Sequence, residues 1–131
     1  MSLTVDDRLL ERARRGEVDD AAFVKCVRGS LPYAWRLIEE VVGRMRASAD
    51  GFADNVTPPP DEAARGQLLR VLASDAMRGA LERHFGVRLA FQNCHRVAAF
   101  ALDAPGAAER HAAFVSPRAQ LLNQSPELID C

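Results

Sequence analysis

The sequence predicts an α+β fold, mostly helical, in which four or five helices pack with a β-hairpin. Three observations predict it. Leu31, Ala34, Trp35, Ile38, Val41, Val42 and Met45 recur at the i, i+3, i+4, i+7 spacing of one helix face, with Arg36, Glu39, Glu40 and Arg44 opposite. The apolar runs 87–91 and 97–102 read as the two arms of a hairpin around the polar knot Gln92-Asn93-Cys94-His95-Arg96. Capping residues and glycines punctuate the rest of the chain at helix-length intervals.

Taken in order, Thr4 ahead of Val5-Asp6-Asp7 reads as a helix start with acids in its first turn, and Gly16 as its stop. A second helix starts at Asp19, where Val18 and Phe23 have the spacing of a hydrophobic staple, and runs through Cys26 and Val27 to Gly29-Ser30-Leu31-Pro32. Pro32 suits the first turn of the third helix, with Ser30 as its cap. Residues 48–60 have no period; Phe52 anchors the stretch to the core, the three prolines favour extended backbone, and a third strand fits before Pro58. Asp61 and Glu62 open a long fourth helix that reaches Phe85 and stops at Gly86. Arg65 and Arg83 then project from one angle of that helix, about five turns apart. Beyond the hairpin, Asp103-Ala104-Pro105-Gly106 is a turn, 107–114 a short helix, and Ser116-Pro117 the cap and first position of a last one. The tail 125–131 carries Leu128 and Ile129, two apolar residues able to dock.

The bulk properties set bounds. A chain of 131 residues has the length of a single domain, 1–131, and with 48% apolar residues it builds a core without disulfides or a structural metal. Its 17 basic and 18 acidic residues leave a net charge of −1, which argues against a sequence-independent grip on nucleic acid. All of the basic residues but Lys25 are arginine. No basic segment precedes an apolar signal core, and no apolar run approaches the roughly 18 residues of a membrane span. The expectation is a cytoplasmic protein with no membrane partner, whose three cysteines, Cys26, Cys94 and Cys131, are free thiols.

Chemistry-bearing side chains concentrate at the polar knot. In a turn, Cys94 and His95 can face one ligand, and His95 and Arg96 are the groups able to lower the thiol's pKa. Gln92 and Asn93 either line a ligand site or satisfy the turn's own backbone, with Cys94 packing as a small hydrophobe. Arg65 and Arg83 either cap the two ends of a buried face, or one of them is the receptor for an anionic group. A transition-metal site needs three or four convergent ligands, and Cys26, Cys94, His95 and Cys131 are the set that folding can bring together, although no C-x2-C or H-x3-H pair locks a geometry. The functional expectation is a small binding module that uses the Cys94-His95 turn and its adjoining groove for a protein partner, a small ligand or a metal. The alternative is a cysteine-dependent enzyme or biosynthetic accessory with Cys94 as nucleophile or redox thiol, His95 as base, and Asp54, Asn55 or Asp75 as orienting group. Trp35 and Tyr33 are core if the third helix is covered, and part of a homodimer or partner surface if it is not.

The stretches Phe52-Ala53-Asp54-Asn55 with Thr57-Pro58-Pro59-Pro60, Ala64-Arg65-Gly66-Gln67-Leu68-Leu69-Arg70, Ala90-Phe91-Gln92-Asn93-Cys94-His95-Arg96-Val97 and Gln120-Leu121-Leu122-Asn123-Gln124-Ser125-Pro126-Glu127 together resemble a family of small actinobacterial conserved hypothetical proteins of about this length. The resemblance covers nearly the whole chain. It implies an actinobacterial source and a free-standing protein, and it carries no catalytic or binding residue to transfer.

Overall fold

A computed structural model describes residues 3–93 and 95–123. In chain order these form α1 (Asp7–Arg14), α2 (Asp20–Ser30), α3 (Pro32–Ala47), β1 (Phe52–Asp54), α4 (Glu62–Leu72), α5 (Asp75–Phe85), β2 (Val87–Gln92), β3 (Arg96–Ala101), α6 (Ala107–Phe114) and α7 (Pro117–Leu122). The fold is α+β and mostly helical, with a small antiparallel sheet in the order β1-β3-β2. The hairpin arms fall within a residue of the expected runs. The third strand before Pro58 is β1, whose Phe52 pairs with Phe100.

The sheet is buried on both faces, and its register sorts the core. Leu89 opposite Ala99 and Phe91 opposite Val97 face the large cluster built by α2, α3, α4 and α5. Ala90 opposite Ala98 and Arg88 opposite Phe100 face the other way, where Phe52 and Phe114 close a smaller cluster around Phe100. As the middle strand, β3 buries four consecutive residues, Val97 to Phe100. On the large face, Leu31, Ile38 and Val41 of the α3 stripe are fully enclosed, and Trp35 stacks against His84 and Phe85. That stripe is core.

Three local expectations are corrected. The first helix is capped by Asp6, which accepts the N–H of Leu9 at 2.7 Å; Thr4 instead donates its N–H to Ser30 Oγ at 2.8 Å. Ser30 belongs to the last turn of α2 and does not cap α3. The first turn of α3 is satisfied across the core by Gln67 Oε1, which accepts from the N–H groups of Tyr33 (2.8 Å) and Ala34 (3.1 Å). The long fourth helix divides at Ala73-Ser74, where Ser74 Oγ caps a new helix at Met77 N (3.3 Å) and Asp75 supplies a first-turn carboxylate. Gly86, at φ +67°, ends α5 as the sequence requires. Gly51 is fixed twice over: its φ is +66°, and a Cβ there would lie 2.6 Å from Ala104 Cβ and 2.9 Å from Ala101 Cβ.

Candidate functional site

The hairpin turn is reversed at Asn93, whose φ of +52° is one a short amide side chain tolerates. Gln92, 3% exposed, donates from Nε2 to the Phe114 carbonyl at 2.6 Å. Its Oε1 accepts from Arg96 Nη1 (3.2 Å) and Asn123 Nδ2 (2.9 Å). Asn93 donates to the Asn123 carbonyl (3.1 Å) and accepts from Gln120. Arg96 lies over the Phe114 ring and holds Asp54 Oδ2 through Nε (2.7 Å) and Nη2 (2.6 Å). From the other side Asn55 donates to the His95 carbonyl (2.8 Å) and accepts from Val97 N (2.9 Å).

Chemically this arrangement is a clasp. It ties the end of α6, the end of α7 and the continuation of β1 to one turn. The amides of Gln92 and Asn93 bond to distant parts of the chain, Phe114, Gln120 and Asn123, and not to the turn's own backbone. His95 is buried at the centre, and Asp54 and Asn55, two of the three proposed orienting groups, do arrive there. The third, Asp75, pairs with Arg78 at 2.6 Å on its own helix. Cys94 and Cys131 lie outside the described residues.

The remaining candidates are spread across the molecule. Division of the fourth helix puts Arg65 on α4 and Arg83 on α5, so the two do not share a helix face. Arg83 grips Asp20 at the start of α2 with both arms (Nε to Oδ2 2.5 Å, Nη2 to Oδ1 3.0 Å). That hydrogen bond holds the Asp20 carboxyl below its ordinary range and raises Arg83 in turn. Arg65 is half-buried and makes no side-chain hydrogen bond or ion pair among the described residues. Cys26 sits on α2 with its thiol 3.5 Å from the Thr4 carbonyl and 3.9 Å from Ser30 Oγ. Among the described residues no three His, Cys, Asp or Glu side chains converge as a metal site.

A second feature adjoins the turn. β2 is an edge strand, and the N–H of Leu89 points away from β3 into the Glu82 carboxylate (2.9 Å). Alternation along an antiparallel strand turns the N–H and C=O of Phe91 the same way. This edge opens on a groove of about 510 Å³ walled by Arg78, Glu82, Arg88, Phe91, His111 and Val115. Arg88 is exposed and makes no ion pair or hydrogen bond among the described residues. His111 meets Phe100 edge-on at 5.2 Å. Burial, and then the charge of Arg88, lower its pKa from the usual 6.5, against an opposing pull from Glu82. Sequence reasoning missed this groove, although Arg88 interrupting the apolar run Val87-Arg88-Leu89 is the mark of a guarded sheet edge.

Among the described residues no helix is long and apolar enough to cross a membrane. Comparisons with curated proteins and with solved structures return no match. A family model does match, over residues 1–131, and by that match the chain belongs to the family described as "NucS shadow ORF".

Proposed function

We propose that the protein is a small cytoplasmic binding module that holds an extended, acidic segment of a partner protein along the open edge of β2, beside the turn. The observation that carries this reading is the edge itself: main-chain donors and acceptors of Leu89 and Phe91 face a groove, and Arg88, a guanidinium with no partner among the described residues, stands on its wall. An added strand gains affinity from main-chain hydrogen bonds and specificity from alternate side chains. Glu82 already satisfies Leu89 N, so the incoming strand pairs toward Phe91 and the turn. Arg78 is already paired with Asp75, and Glu82 with Leu89 N, so Arg88 is the charge left to select a carboxylate in the segment.

The turn supports the groove without contacting the ligand. By tying Phe114 and Asn123 to Gln92 and Asn93, it fixes the α6 wall relative to the strand. Panning a random peptide library on the purified protein tests the reading. Enriched peptides should alternate apolar residues around a carboxylate, and Arg88→Glu should weaken them about tenfold, a loss of about 1.4 kcal/mol. Enrichment of basic peptides, or binding unaffected by Arg88→Glu, overturns it. A concentration-dependent dimer abolished by the same substitution assigns the edge to a second copy instead.

A further inference from the structure

A second cavity lies between α1 and α2. α1 is held loosely by the fold. It buries none of its residues, and Thr4 ahead of it is tied to Ser30 and Cys26 of α2. Between the two helices opens a cleft of about 400 Å³. Arg8 and Arg12 line it from α1, one turn apart, and Lys25 lines it from α2, with Leu9 and Ala22 as the apolar walls.

The charge in this cleft is unbalanced. Among the described residues its one carboxylate, Asp6, is occupied capping α1. Arg12 approaches Asp19 only to 3.8 Å. Arg8 and Lys25 make no ion pair or hydrogen bond among the described residues. Like charges converging on a concavity raise one another's energy unless an anion joins them. Cations on both helices, with a gap between, call for one group that carries two negative charges. The arginines offer planar forks and the lysine a point charge, the pairing suited to a tetrahedral oxyanion.

We propose that the α1–α2 cleft binds a small phosphate monoester, with the dianion bridging Arg8, Arg12 and Lys25 and its organic body against Leu9 and Ala22. The site is separate from the β2 edge, and its test is independent of the peptide reading. Lys25 is the chain's only lysine, so its amine reports on the cleft alone among side chains. The full chain is treated with a limiting acylating reagent in phenyl phosphate or in sodium chloride of equal ionic strength, and modification of Lys25 is followed by mass spectrometry. Hydrogen exchange across residues 7–14 is measured in parallel. Phenyl phosphate should protect Lys25 in proportion to occupancy, about tenfold at ten times the dissociation constant, and should slow exchange in α1 by bridging it to α2. Arg8→Gln, an exposed position on a helix with no buried residue, should remove both effects while leaving the thermal midpoint in place. Equal protection by chloride, protection without slowed exchange, or full protection in Arg8→Gln overturns the proposal.

Discussion

Among the described residues Gln92 makes three polar contacts from a position with almost no solvent access, and those contacts reach two separate helices. A leucine there would fit the space and leave the Phe114 carbonyl without its donor and Arg96 with one acceptor fewer. Each orphaned buried group costs about 1–3 kcal/mol. Gln92→Leu is therefore expected to lower the urea midpoint by the equivalent of about 2–4 kcal/mol with an unchanged slope; a loss below about 1 kcal/mol in equilibrium unfolding would mean that the clasp contributes little. The sequence located these residues and left their role open. A cluster of amides in a turn looks the same whether it awaits a ligand or ties down distant chain. The deciding partners, Phe114 and Asn123, lie 22 and 31 residues from Gln92, a separation that no local pattern encodes.

Elements were legible where their ends are satisfied locally. Asp19, Asp61 and Ser116 each cap a helix three residues downstream, and all three starts were readable from spacing alone. The α3 start is not legible locally because its cap comes from another helix. Ser30 occupies the local position, and Gln67, more than thirty residues away, supplies the acceptor. Gln67→Ala should destabilise the protein by about 1 kcal/mol, the usual cost of a lost N-cap, and should raise hydrogen exchange at Tyr33 and Ala34 ahead of the rest of α3. Uniform exchange along α3 would show that the helix starts without it. The α4–α5 break was hidden for a related reason: the apolar periodicity carries across Ala73, and the break is announced only by the Ser74-Asp75 pair. The three-residue β1 was readable only as room for a strand, since its identity comes from pairing with β3.

For the molecule as a whole, stability should hold a plateau between two groups of titrations. His111 has a folded pKa below its unfolded value of about 6.5, so its contribution is fully present above that pH and is lost as pH falls through the folded value. Asp20, held down by its bond to Arg83, and Asp50, held down by its bond to Ser48, behave likewise from 3.8 downward. Burial raises Tyr33 above 10.0, so its contribution is intact below that pH and is lost as pH rises through the folded value. Urea unfolding across the pH range should therefore show a decline that starts near neutrality on the acid side. His111→Gln should delay its onset to the carboxylate range; an onset that does not move would assign the decline to other groups.

The same histidine links stability to binding. Arg88 is the charge that helps keep His111 neutral, and an acidic segment paired with Arg88 would offset that charge and add a negative one beside the ring. Both changes raise the histidine's pKa. Binding is then coupled to proton uptake, and a bound peptide should tighten as pH falls from about 7 toward 6, where an imidazole titrates. Calorimetry in two buffers of different ionisation enthalpy measures the uptake directly. A fractional proton taken up by the wild type and none by His111→Gln would put the peptide's carboxylate in the groove between β2 and α6. No uptake by either would place the carboxylate elsewhere, and the acidic preference would then have to be sought away from Arg88.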